Sequence, residues 1–440
     1  MTTINKNKIK SVIDENQKLK NDLISLQHQQ HDLKHRLSQI YSAKSYELWQ
    51  KMNNLKKLFL NKNLDDNIQK TKTVNSTYKP ITFKKNIHPE ISIIIVTYNK
   101  WPLTYNCLKS ILDNTENICF EVVIIDNKSS DETKKYLSNI VFGARIFFNK
   151  ENKFFSGGCN QGAKLAKGKY LFFLNNDTIV HRETIKNLLK RIRCNHTIGL
   201  VGSKLIYPNG KLQEAGSMLW KDGSALGYGR GDDPEKEEYQ HCRMVDFCSG
   251  ASILIKKDLY LLLGGLKKDY IPAYYEETDL CQEIIARKKK IVFEPTSIVT
   301  HFEYGSTTLD KAKLLMLKNQ KIFYNKWKNN LIDKPNKVNY LNILRNRDNR
   351  CNKGVLIKIN NLIQESPKKS YNFIKKISNI IDIYIKKYQI TLYIRNTKAS
   401  DKSIINRLRN NFVEVITQEP LQSIIKKRKN FYIKIIKLKP

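Results

Sequence analysis

Residues 91–100 read ISIIIVTYNK. Ile91 to Val96 is an unbroken apolar run rich in β-branched side chains, the pattern of a strand buried on both faces of a parallel sheet. Thr97, Tyr98 and Asn99 end it, and Leu103 to Asn114 reads as a helix. The pattern recurs downstream. Glu121 to Ile125 is a second strand, ending in Asp126 and Asn127. A helix over Glu132 to Ser138 and a strand over Ala144 to Phe148 follow. A loop then carries Ser156, Gly157, Gly158 and Asn160, and a helix spans Gln161 to Ala166. Strand Tyr170 to Leu174 ends in Asn175, Asn176 and Asp177. This alternation predicts an α/β fold, a parallel sheet with helices on both faces.

Such sheets bind ligands at the carboxyl ends of their strands, where Thr97, Asp126 and Asp177 stand. Asp126 can accept hydrogen bonds from a ribose or base. Asp177 can hold a divalent cation, since hard cations take carboxylate oxygen and share their shell with phosphates. The Gly157-Gly158 pair allows close backbone approach to a ligand. Each signal alone is also ordinary turn chemistry; their order along the chain is what points to a site.

A second informative stretch runs from Ile271 to Ser306, opening IPAYYEETDL and closing VFEPTSIVTHFEYGS. Glu276, Glu277 and Asp279 lie behind two tyrosines, at the start of a helix that continues from Leu280. Apolar neighbours raise a carboxylate's pKa and suit it to general-base work. Acids in a first helical turn equally serve as caps. His301, after a strand-like run and beside Glu303, is a candidate metal ligand.

Outward from this core, residues 1–60 read as a helical segment. Its short, imperfect heptads serve either a coiled-coil homodimer or packing on the same chain. Residues 61–88 read as a linker, 89–330 as the sheet domain and 331–440 as a basic C-terminal domain with a βαβαβ rhythm. That last part carries 25 Lys and Arg against 7 Asp and Glu. The whole chain of 440 residues has a formal charge of +37. Such an excess suits an anionic partner, though lysine, asparagine and isoleucine are abundant throughout. No CxxC pair occurs among the eight cysteines, the N-terminus has no signal-peptide core, and no apolar run approaches a membrane span. The expected location is the cytoplasm, peripheral on the inner face of the membrane where anionic lipid attracts it.

The segments ISIIIVTYNK, VVIIDNKSSDET, NKENKFFSGGCNQGAKLAKGKYLFFLNNDT, FCSGASILIKKDLYLLLGGL, PAYYEETDLC and HFEYGST together resemble family 2 glycosyltransferases of the GT-A fold, rhamnosyltransferase-like members among them. The resemblance covers about residues 90–330. It implies that Thr97, Tyr98, Asn99 and Asp126 bind the nucleotide of a sugar donor, with Asn127, Gly158, Asn160, Asn175 and Asn176 lining the same site. Asn175-Asn176-Asp177 stands where the family has its DXD metal motif, with the acid kept only at Asp177. His301 matches a second metal or diphosphate contact. Glu277 matches the catalytic base, usually Asp, with Asp279 as the alternative. Gly250 and Glu276 fall on the acceptor side. The implied cofactor is Mn or Mg. The implied partners are a nucleotide-sugar donor and a glycan or lipid-linked acceptor, with no nucleic acid. The rhythm after residue 331 faintly resembles the first half of a GT-B domain; a remnant and a membrane- or partner-binding module fit it equally. Against these stand a donor-binding but degenerate transferase, and a basic scaffold for nucleic acid or membrane.

Overall fold

The computed structural model describes residues 78–303, 309–336, 338–364 and 366–439. The heptad segment and most of the expected linker lie outside the described residues. Where the chain enters the description, Ile81–Thr82 pairs in parallel with Val141–Phe142, and Ile81 and Phe83 are buried.

Ten strands form the main sheet: β1 (Ile91–Thr97), β2 (Phe120–Asp126), β3 (Arg145–Phe148), β4 (Tyr170–Leu174), β5 (Thr178–Val180), β6 (Ile198–Ile206), β7 (Leu212–Glu214), β8 (Arg243–Met244), β9 (Ser252–Lys256) and β10 (Lys290–His301). Their order is β8-β10-β6-β9-β4-β1-β2-β3, with β5 paired to β10 and β7 to β6. Strands β4, β1, β2 and β3 are parallel, as the apolar runs predict. Strand β9 is not: it runs antiparallel between β4 and β6, which corrects the expectation of a parallel sheet throughout. Residues 207–251 lie at the carboxyl end of β6 and supply no crossover helix. The chain therefore re-enters from that end, and only an antiparallel strand can follow.

Side chains of β1 alternate between two layers. Ile91, Ile93 and Ile95 meet Cys107, Leu108 and Ile111 of α1 (Trp101–Asn114), Leu137 of α2 (Thr133–Ile140) and, farther along, Leu188 and Ile192 of α4 (Thr184–Arg193). Ile94 faces the other layer. There Cys159 and Ala163 of α3 (Phe154–Leu165), Tyr260 of α5 (Lys257–Leu262), Leu280 and Ile284 of α6 (Glu276–Ala286), and Phe323 and Trp327 of α7 (Leu309–Trp327) form one core. Helix α3 begins well before Gln161, so Ser156, Gly157, Gly158 and Asn160 are helical rather than in a loop. A Cβ on Gly158 would lie 2.6 Å from a Val96 methyl. The glycine thus lets helix and sheet approach each other, and this contact, not a ligand, requires it.

The C-terminal region builds a second parallel sheet from β11 (Gly354–Asn361), β12 (Gln389–Asn396), β13 (Val413–Ile416) and β14 (Tyr432–Lys437), in the order β13-β12-β11-β14. Helices α9 (Pro367–Tyr384) and α10 (Lys402–Asn410) cover one face, and α11 (Leu421–Lys427) the other, with α8 (Tyr340–Asn346) leading in. Part of its basic excess is internal. Buried Glu414 accepts hydrogen bonds from Arg347 (3.0 and 2.8 Å) and from Arg428 (2.6 and 2.9 Å). Arg347 also reaches the Tyr228 hydroxyl of the main domain at 3.2 Å. Glu237 of the main domain accepts from the Thr417 amide at 2.9 Å and hydroxyl at 2.7 Å. Phe412 lies between the guanidinium groups of Arg191 and Arg350, 5.6 and 5.2 Å from its ring centre. The two sheets are thus joined by buried polar contacts.

Burial pushes the Glu414 carboxyl up, but the two arginines outweigh it and hold it well below the usual carboxylate range. The stabilisation is therefore complete above about pH 4.3, the ordinary glutamate value, and is lost as pH falls through the depressed value. Glu414→Gln leaves two buried guanidinium groups without their anion. Urea unfolding is expected to show a loss of about 3–5 kcal/mol at neutral pH, and a weaker acid dependence than the natural chain.

Candidate active site

The register of two strand pairs builds the site. Thr97 and Asp126 are direct neighbours across β1 and β2. Across β5 and β10, Thr178 opposes His301, and the Phe302 amide donates to the Asp177 carbonyl at 3.0 Å. That antiparallel pairing brings residues from distant parts of the chain together: His301 Nε2 lies 3.3 Å from Asp177 Oδ1. His301 Nδ1 faces Gln213 Oε1 of β7 at 3.1 Å. Burial lowers the His301 pKa, but the Asp177 carboxylate more than offsets this and raises it.

The expected donor-site residues divide into two groups. The first keeps free capacity: Asp126 Oδ1 and Asn175 Oδ1 are buried with no hydrogen-bond partner, and Tyr98 is 45% exposed at the rim. The second holds the scaffold. The Thr97 and Thr104 hydroxyls share a 2.8 Å hydrogen bond, and Asn176 Nδ2 donates to Thr104 at 3.0 Å. Asn99 Oδ1 accepts from the Ser130 amide at 2.7 Å. Asn127 donates to the Phe154 carbonyl and accepts from Asn149, both at 2.9 Å. Asn160 is a correction. Its side chain bonds Tyr260 and both backbone groups of Leu266, because it sits in α3 facing α5. Gly158 likewise faces Val96.

On the other side stands the start of α6. Glu277 is partly exposed, and a Cβ added to Gly250 would lie 3.5 Å from its Cβ. Burial first, then the field of Glu214, pushes the Glu277 carboxyl up to about 7. Glu276 is buried, Oε2 has no partner, and desolvation with the Glu277 charge raises its pKa well above the usual range. Asp279 is wholly buried and fully engaged. Its oxygens accept from Trp327 Nε1 (2.7 Å), the Tyr270 hydroxyl (3.0 Å) and Lys326 Nζ (3.0 Å). This corrects the reading of Asp279 as an alternative base: its lone pairs already bind the partners that fasten α7 to α6.

Tyr274 joins the two halves. Burial, then Glu303, Glu276, Glu277 and Asp177, all raise its pKa, so the phenol lies in the field of the cation-side and base-side acids at once. Tyr274 and Tyr275 both have left-handed backbones, φ 78° and 75°, a strained state for residues with side chains. Asn319 of α7 holds that turn through donations to the carbonyls of Tyr270, Ala273 and Tyr274 at 2.8, 2.8 and 2.9 Å.

Residues 92–254 match the sequence model of the family described as "Glycosyl transferase family 2". From β1 into β9, the sheet that builds the site is thus similar in sequence to glycosyl transferase family 2. Among curated relatives, an O-antigen biosynthesis protein of Myxococcus xanthus is 24% identical over 50% of this chain and 18% of its own. A GalNAc(5)-diNAcBac-PP-undecaprenol β-1,3-glucosyltransferase of Campylobacter jejuni is 24% identical over 51% of this chain and 69% of its own. The crystal structure of GalNAc-T7 with UDP, GalNAc and Mn2+ is similar at a TM-score of 0.45, with 18% identity, over 57% of this chain and 50% of that one. The matches span a quarter or less of the first three curated relatives.

Within this site, the residues present fit a divalent cation. Asp177 and His301 offer one carboxylate and one imidazole, Asn175 Oδ1 is an unused acceptor beside them, and Gln213 can fix the histidine tautomer. No group of three or more His, Cys, Asp or Glu converges on one point among the described residues. A cation here would complete its shell from phosphate oxygens and water. Sequence reading missed Gln213, Glu214, Tyr274 and Asn319. The left-handed backbone at Tyr274 and Tyr275, which marks the turn that Asn319 holds, is a tertiary feature. Asp279→Asn is expected to lower stability by about 1–3 kcal/mol by weakening three buried bonds, with donor binding unchanged by calorimetry.

Proposed function

We propose that this chain is an inverting glycosyltransferase. It would move a hexosyl or deoxyhexosyl group from a nucleotide sugar to a glycan or lipid-linked acceptor, in synthesis of a bacterial surface polysaccharide. The observation that carries this reading is the raised carboxyl of Glu277 at the start of α6, with Glu277 and the Asp177 of the Asp177–His301 pair both acting on Tyr274. The names of the relatives, in O-antigen and undecaprenol-linked glycan synthesis, support the acceptor class. No helix among the described residues is long and apolar enough to cross a membrane; the excess of positive charge favours peripheral attachment to anionic lipid at the cytoplasmic face.

In this mechanism the Asp126 carboxylate accepts from the nucleoside, and Tyr98 covers its base. Asp177 and His301 would hold a Mn or Mg ion, which would supply positive charge to offset that of the diphosphate. Glu277 takes the proton of the acceptor hydroxyl as its oxygen attacks the anomeric carbon. The nucleoside diphosphate leaves from the opposite face, so configuration inverts. Glu276, kept neutral by burial and by the neighbouring charge, can donate a hydrogen bond to a substrate hydroxyl. The Tyr274 phenol stays protonated and separates the acids.

Only ionised Glu277 can act as base. Turnover is therefore expected to rise with pH up to about 7 and level off above it. Glu277→Gln should remove that limb and cut turnover by about 10² to 10⁴, with donor affinity little changed. An unaltered pH profile in that variant would move the base elsewhere. Asp177→Ala is expected to abolish Mn-dependent donor binding in calorimetry, while metal-free binding of the nucleoside alone persists.

A further inference from the structure

Helix α7 has two unlike sides. One is anchored: Ala312, Asn319, Phe323 and Trp327 are buried against the turn before α6 and against α6 itself. The other shows Leu314 at 69%, Leu317 at 50% and Tyr324 at 38% exposure. Positions 314, 317, 321, 324 and 328 recur at steps of three and four, so they form one stripe. Lys321 and Lys328 share that stripe and Lys318 flanks it, all exposed. From Leu314 to Lys328 the helix contains no acidic residue. The outward stripe is thus apolar at its centre and cationic along the helix, with exposed Lys221 and Asp222 of the neighbouring loop bordering it near Gln320 and Tyr324. Lysines elsewhere on this stretch are used internally, Lys326 on Asp279 and Glu283.

We infer that this face of α7 docks on an anionic lipid bilayer. Two large leucines in water gain by insertion at the headgroup boundary, and a lysine near an anionic surface adds attraction. A neutral protein groove would take the leucines but leave the lysines without counter-charge, so charge complementarity selects the lipid. The placement has a consequence. Through Asn319 the same helix holds the Ala273–Tyr274 turn, directly before Glu276 and Glu277. A bilayer seated on α7 would bring lipid headgroups to the acceptor side of the site. The choice of a lipid-linked acceptor rests on the function proposed above; the docking itself does not.

The test is co-sedimentation of the full chain with vesicles of phosphatidylglycerol and phosphatidylcholine, compared with phosphatidylcholine alone. The natural chain should bind the anionic vesicles and lose them at high salt. Lys318→Gln with Lys321→Gln should weaken binding by about thirtyfold, at roughly a factor of five per lysine. Leu314→Glu with Leu317→Glu should weaken it at least as much, with an unchanged melting temperature because both side chains already face water. A control, Lys375→Gln with Lys376→Gln on α9, should bind like the natural chain. Binding that survives the α7 changes, or that is lost only in the α9 control, overturns the inference. So does failure of the natural chain to bind, or self-association through this stripe in sedimentation velocity. Vesicle binding is read without turnover, so an inactive chain that still sediments through α7 refutes the transferase reading alone.

Discussion

Three residue pairs, Val180 with Val299, Ile179 with Thr300 and Thr178 with His301, hold a short strand against the end of the longest one. The cation side of the site depends on this pairing. A slip of one residue would turn His301 to the opposite face of the sheet, away from Asp177 and Gln213. The bulge between Glu294 and Ile298 lets the same strand pair with β6 on both sides of residues 295–297 and still reach β5. The position of one imidazole is therefore a property of sheet register, set by hydrogen bonds between backbone groups far apart in the chain.

The base side depends on a different kind of constraint. Three acids start α6, and the fold gives each a separate environment. Asp279 points into a cage of Trp327, Tyr270 and Lys326. Glu276 is buried with its Oε2 unpartnered, and Glu277 is left at the opening beside Gly250. Side chains at successive positions of a helix start diverge by about 100°, so neighbours in sequence meet different surroundings. The tie between α7 and α6 at Asp279, and between α7 and the tyrosine turn at Asn319, makes one helix the support for the whole base side.

The C-terminal sheet shows how misleading raw charge can be. Four arginines, Arg347, Arg350, Arg409 and Arg428, bind acids or carbonyls inside the domain or at its junction with the main one. Three acids, Glu414, Asp348 and Glu237, offset most of that charge locally, so it adds little to the long-range field. Surface lysines and exposed arginines such as Arg395 and Arg407 carry the rest.

Much of this was legible from the chain alone. Buried parallel strands declare themselves as runs such as ISIIIV and YLFFL, because a strand covered on both faces admits no polar side chain. Polar residues at the ends of those runs marked the donor side, and YYEETDL marked the base side. Composition and periodicity contain no distances, and that is where reading stopped. The direction of β9 followed from an excursion with no crossover helix. The helical place of Gly158 followed from contact with Val96. Asp279 and Glu277 are equivalent as letters; only packing against Trp327 and Lys326 makes one a fastener, and only desolvation beside Gly250 with the field of Glu214 gives the other its proton-accepting pKa. Hydrogen-bond partners across a fold are long-range facts, and a local pattern cannot hold them.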